Sequence, residues 1–152
     1  MITLLSANST DIPALWELRT RALREQCATH YAPDILRTWA AAPAPATYPA
    51  LLARGGGLKA HVNGVLAGYA ILDTERSEVH AVFVDPQFAG QGIGKTLLRA
   101  LEKMAEQPSA LHLHASLNAV PFYEAAGYRA MKSTQYQHPS GILLDCVFMT
   151  RA

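Results

Sequence analysis

The stretch AGQGIGKT, Ala89 to Thr96, places three glycines ahead of a run that reads as a helix. Glycines let a backbone wrap closely around an anion, and the free N–H groups at a helix start attract phosphate. Phosphate binding is therefore the first chemistry the sequence offers. The same stretch satisfies the A/G-x4-G-K-S/T spacing of a Walker A loop, with Lys95 and Thr96 in the liganding places. ILLD, ending at Asp145, supplies an apolar run closing on an acid, as a Walker B strand would.

The remaining chain argues against nucleotide hydrolysis. After Lys95 the sequence reads helix, strand, helix and strand pair. A hydrolase core needs several parallel crossovers there, each of a dozen residues or more. Asp145 falls in the final antiparallel pair, away from such a loop. The dinucleotide pattern GxGxxG also fails, because Lys95 stands where the third glycine is required.

The other residues with chemical capacity are scattered and need elements to gather them. Glu78 and His80 lie two apart in EVHAVFV, which reads as a strand, so alternation puts them on one face. His112 and His114 alternate in ALHLHA and share a face likewise. Without a third ligand at a credible spacing they read as one flank of a sheet, and no metal is expected. Cys27 and Cys146 are far apart, with no CxxC spacing, and read as buried or incidental thiols in a reducing compartment.

The elements follow from periodicity. Met1 to Ser6 read as a strand. Pro13 to about Cys27 form an amphipathic helix with Asp11 as its cap, and a second helical piece runs from Pro33 to Trp39. Pro43, Pro45 and Pro49 make the next segment a connector. LKAHV-NG-VLAGYAIL is a hairpin turned at Asn63-Gly64. After the glycines, Ile93, Leu97, Leu98, Leu101 and Met104 form one face of a helix. A short helix from Ala119 to Ala126 stops at Gly127, and two strands joined at His138 to Gly141 close the chain.

With these elements in place, VFVDPQFAGQGIGKTLLRALEKMA resembles the acyl-CoA-binding motif of the GNAT superfamily of N-acetyltransferases. There a strand leads through V-x-P-x-x-Q/R-G-x-G-I/V-G/A into a long helix. The match runs through Val84, Pro86, Gly90, Gly92, Ile93 and Gly94. A second family motif resembles ASLNAVPFYEAAGYR, with Asn118, Phe122, Tyr123, Gly127 and Tyr128. One position departs from the pattern: Ala89 replaces the usual glutamine or arginine, which removes a side-chain contact.

The resemblance implies an α/β (α+β) GNAT fold. That is a mixed, twisted sheet of about six to seven strands flanked by about four helices, with strands splayed to admit CoA. It implies acetyl-CoA as co-substrate, its pyrophosphate on the backbone of Ala89, Gly90, Gln91, Gly92, Ile93, Gly94 and Lys95. The pantetheine arm would lie along Val82, Phe83 and Val84, near Asn118, Phe122 and Tyr123. Asn118 either bonds that arm or caps the helix at Ala119. Tyr123 is the implied general acid for the departing thiolate. Glu78 is the first candidate for the general base and His80 the alternative. His30, Tyr31 and Trp39 fall in the region that covers the acceptor, where they either contact it or pack a lid.

Composition bounds the partners. At 152 residues the chain is one domain, 1–152, and 50% hydrophobic against 16% charged residues argue against disorder. A net charge of +1 gives no reason to expect nucleic acid. MITLLSANSTDIP has neither a basic leader nor an apolar span, so no membrane partner and a cytoplasmic location are expected. The expected activity is direct acetyl transfer to a primary amine on a small molecule or peptide. The alternative is an acyl-CoA-binding sensor that has lost catalysis. A homodimer paired through the last strand is a further expectation.

Overall fold

The computed structural model describes residues 1–152. A seven-stranded sheet in the order β1-β2-β3-β4-β5-β7-β6 forms the middle layer. Its strands are β1 (Ile2–Ser6), β2 (Gly57–Val62), β3 (Val65–Asp73), β4 (Glu78–Val84), β5 (His112–Ser116), β6 (Tyr128–Gln137) and β7 (Leu143–Arg151). The helices are α1 (Ile12–Gln26), α2 (Pro33–Ala40), α3 (Tyr48–Ala53), α4 (Ile93–Met104) and α5 (Val120–Ala125). All neighbouring strands run antiparallel except β4 and β5. A single parallel pair leaves no room for a nucleotide-hydrolase sheet.

The β3 sequence is a continuous apolar run because both of its faces are buried. Ala70 and Leu72 pack with Ile93, Leu97, Leu98 and Leu101 of α4. Tyr69 and Ile71 face the other way, onto Leu15 and Leu18 of α1 and Tyr48, Leu51 and Leu52 of α3. Beyond β4 the layers differ. Leu113, Ala115, Met149 and Tyr128 join the α4 side of the core. On the opposite face His114, Arg129 and Lys132 are exposed and no helix covers them. One half of the sheet is thus a sandwich, and the other keeps an open face.

Several local expectations are met. Asn63 (φ 50°) and Gly64 (φ 79°) make the tight hairpin turn between β2 and β3. Gly141 N–H donates to the His138 carbonyl at 2.8 Å in the turn between β6 and β7. Both cysteines are free and buried.

Three expectations are corrected. The proline-bearing connector contains a helix, α3, because Pro49 sits in its first turn, where a missing N–H costs no helical bond. Leu51 and Leu52 then anchor it against the sheet. Asp11 does not cap α1: its carboxylate accepts from Asn8 N–H at 2.9 Å and pairs with Lys59 at 2.8 Å. Finally, β7 lies between β5 and β6, so the last strand is internal and the free edges of the sheet are β1 and β6.

Candidate active site

The site is built where β4 and β5 part. Their only register pair is Glu78 with His112, and beyond it Val82, Phe83 and Val84 have no partner on the β5 side. The two strands thus form the arms of a V. At the open end, Asp85 is buried, which makes the turn after β4 rigid. Its N–H donates to the Ala67 carbonyl at 2.8 Å. Its carboxylate accepts from Gln87 N–H at 3.0 Å and from Arg21 at 2.8 Å. This web, invisible in the Asp-Pro dipeptide alone, places the glycine loop.

The loop itself is a cradle of unused donors. No N–H from Gly90 through Lys95 bonds to a protein acceptor. The next amide, Thr96, donates to the Gly92 carbonyl at 3.0 Å, as does its hydroxyl at 2.9 Å. Gly90 and Gly92 adopt left-handed φ angles of 81° and 78°, and a Cβ on either would meet nothing within 4 Å. The loop surface is therefore open above its donors, at the N-terminus of α4. An acyl-CoA pyrophosphate fits this arrangement. Ala89 is excluded from the donor set, because its N–H bonds to Pro86 at 3.2 Å. Gln91 and Lys95 are exposed and free to follow an anion. A Cβ on Gly94 would lie 3.2 Å from Phe122, so Phe122 locks α5 against the first turn of α4.

Tyr123 lies in the α4-side core between Phe122 (centroids 5.0 Å apart) and Tyr128 (5.8 Å). Burial alone pushes its phenol well above the ordinary tyrosine value, so it stays protonated at neutral pH. Asn118 departs from the capping reading offered by the sequence. It caps neither α5 nor the turn before it, and its side-chain oxygen accepts from the Cys27 thiol at 3.1 Å. Burial pushes that thiol up to about 11, which makes it inert as a nucleophile. Gln26 reaches the Val84 carbonyl at 3.4 Å. Phe83 turns its ring onto Tyr69, centroids 5.6 Å apart, and only its backbone borders the V.

The proposed acceptor contacts separate. Tyr31 donates to the Asp145 carbonyl at 2.6 Å and accepts from Leu117 N–H at 3.0 Å, with its ring 5.1 Å from Trp39. Burial pushes its phenol up to about 12. Tyr31 and Trp39 thus pack a lid. His30 is exposed, and its ring meets the Thr29 hydroxyl at 3.1 Å. The lid is held from below by Arg19, which donates to the carbonyls of Trp39 (2.9 Å) and Ala40 (3.2 Å) and lies 4.0 Å from the Trp16 ring. Nothing in the amphipathic pattern of α1 singles out Arg19 as buried.

Glu78 and His80 share the α1-side face, as alternation expects, but diverge there. Val79 pairs with Leu72 and Ala81 with Ile71, so a bulge at His80 interrupts the ladder. His80 is exposed, and its ring lies 6.1 Å from Tyr48. Glu78 instead faces β5, with Oε2 3.6 Å from Nδ1 of His114. From the sequence His114 reads only as the flank of a sheet, because its carboxylate neighbour comes from another strand.

Comparisons with known proteins agree with this geometry. The family model described as Acetyltransferase (GNAT) domain matches residues 27–143. The uncharacterized N-acetyltransferase YafP of Escherichia coli strain K12 is 26% identical over 127 residues, covering 84% of this chain and 81% of its own. The crystal structure of a GCN5-related N-acetyltransferase from Rhodopseudomonas palustris superposes with a TM-score of 0.83. It is 28% identical and covers 99% of this chain and 94% of that one. The PaiA N-acetyltransferase of Thermoplasma acidophilum, solved with coenzyme A, shares the fold at 18% identity, with a TM-score of 0.73 over 100% of this chain and 99% of its own. The chain belongs to the GNAT acetyltransferase family and is an acyltransferase of the N-acetyltransferase type.

Proposed function

We propose that the protein moves an acetyl group from acetyl-CoA directly to a primary amine, on a small molecule or a peptide, without a covalent enzyme intermediate. The observation that carries this reading is the run of free amides from Gly90 to Lys95 at the mouth of the β4–β5 cleft. Acetyl-CoA supplies the activated acyl group, and the chain supplies position and proton handling. The amides of Gly90 to Lys95 hold the pyrophosphate. The unpaired edge of Val82, Phe83 and Val84 receives the pantetheine amides as a strand would, and Gln26 and Asn118 exchange their present partners for them. No cysteine is available for a covalent route: Cys27 and Cys146 are both buried, and burial raises both thiols.

The acceptor amine enters from the open face, where Glu78 supplies the negative charge that draws its proton away. Tyr123 donates a hydrogen bond to the departing sulfur. Its raised proton affinity keeps the phenol neutral and ready as a donor. The Arabidopsis thaliana Naa50 structure, with a CoA–peptide bisubstrate analogue, shares this fold at 19% identity with a TM-score of 0.69, which supports testing peptide amines alongside small ones.

The test combines binding with turnover. Acetyl-CoA should slow hydrogen exchange at Gly90 to Lys95 and stabilise the fold by about 2.7 kcal/mol at a hundredfold excess over Kd. CoA thiol release with a panel of primary amines should then exceed the amine-free rate. Protection of the loop without transfer to any amine would establish the binding-only alternative instead.

A further inference from the structure

We propose that His114, oriented by Glu78, is the group that takes the proton from the acceptor amine. The inference rests on the acetyl-transfer reading above and assigns its base to a residue on the opposite arm of the cleft. Glu78 sits at the vertex, in the last register pair before β4 and β5 separate. His114 is the next residue of β5 to face the same side, so it stands where the arms begin to open. Its Nδ1 lies 3.6 Å from Glu78 Oε2, with the two side chains 43% and 22% exposed. That separation is an ion-pair contact, which gains its energy when the imidazole becomes charged. Phe148 confines the ring from the β7 side, with centroids 5.3 Å apart. An open surface groove of about 490 Å³, lined by Arg76, Glu78, Ser109, His112, His114 and Phe148 among others, leaves room for a ligand beside the pair. His80 has no comparable carboxylate contact.

With Nδ1 turned to Glu78, a neutral imidazole carries its proton there and presents the Nε2 lone pair to the groove. Nε2 takes one proton from the ammonium, leaving R–NH2, and Glu78 stabilises the imidazolium. The amine lone pair forms the N–C bond to the acetyl carbon, and the C–S bond breaks with its electron pair on sulfur. Two protons leave the nitrogen in all: one ends on the CoA sulfur and one passes through His114 to solvent. The other titratable or charged groups facing His114 are His80 on β4, His112 on β5, and Arg76 in the turn before β4. Register adds Arg129, across from Thr150, and Lys132, across from Phe148. β7 contributes Cys146, which alternates onto the same side as Phe148. Glu78 is the carboxylate in contact with the ring; Asp73, paired with Glu78 across β3 and β4, accepts instead from the Glu75 and Arg76 amides.

The pH dependence of kcat/KM for acetyl transfer to an accepted amine, read together with 15N NMR of the imidazole rings, tests this. The wild type should show a rising limb with pH. His114→Gln should erase that limb and lower kcat/KM by about a hundredfold or more, and His114→Asn should do the same with the NMR spectrum still folded. Glu78→Ala should lower kcat/KM and move the His114 proton between its two ring nitrogens, read from their 15N shifts. A limb that survives in both His114 variants, or vanishes only in His80→Gln, overturns the assignment. A His114 tautomer unmoved by Glu78→Ala overturns the pairing. Wild-type protein that transfers acetyl to no amine overturns the transferase reading and the base role with it, even where the tautomer change is present.

Discussion

Tyr123 illustrates how burial sets what a residue can do. Surrounded by Phe122, Tyr128 and the α4-side core, its phenol binds its proton far more tightly than a free tyrosine. Such a group is a poor source of a fully transferred proton but a durable hydrogen-bond donor. Tyr123→Phe should therefore lower kcat by about tenfold to a hundredfold, the ~1.5–3 kcal/mol of a hydrogen bond to a charged group. KM for acetyl-CoA should move little, as measured by initial rates of thiol release. Single residues were legible where their role depends on local sequence. Gly90 and Gly92 announce a backbone turn, and Tyr123 sits in a motif. Arg19, Asp85 and His114 were not legible, because their roles arise from carbonyls, a guanidinium and a carboxylate brought in from distant elements.

At the scale of elements, the segment between α1 and α2 is a strap across the cleft. Gln26 holds β4 through the Val84 carbonyl, Cys27 holds Asn118, and Tyr31 holds both Leu117 and Asp145. One short run of chain therefore spans both arms of the V. Tyr31→Phe leaves the Leu117 N–H and the Asp145 carbonyl without this partner and should cost about 1–3 kcal/mol. Urea unfolding should show a lower midpoint at unchanged slope. An unchanged midpoint would mean that water replaces the hydroxyl without loss. The sequence leaves Tyr31 and Trp39 open between contacting the acceptor and packing a lid, because aromatic residues there look alike whether they face inward or outward. The order and type of the elements were otherwise legible from the hairpin at Asn63-Gly64 and from the alternating or helical apolar periods. The missed helix α3 reflects prolines that stop a helix interior but start a helix readily.

For the whole molecule, the clearest solution property follows from its tyrosines. Burial raises Tyr31, Tyr48, Tyr69, Tyr123 and Tyr128 above their ordinary value near 10. A folded value above the unfolded one means that the unfolded chain releases protons first as pH rises. The stability these phenols confer is therefore complete below about pH 10 and falls as pH climbs toward and beyond 12. Circular dichroism and tyrosinate absorbance at 295 nm should change together in that range. Ionisation of these tyrosines at pH 10 with native circular dichroism would contradict their burial.

The position of β7 between β5 and β6 bears on how the molecule is made. β5 touches β4 at a single register pair, while β7 supports it from His112 through Ser116. The phosphate cradle, β4 and α4 can assemble from residues already synthesised by Met104. The second arm, which carries His114, packs on the α4-side core but has only the Glu78–His112 strand pair until Leu143–Arg151 emerge. A nascent chain stalled before Leu143 would thus hold a complete anion cradle beside an unsupported strand, and the catalytic cleft would be the last part of the protein to form.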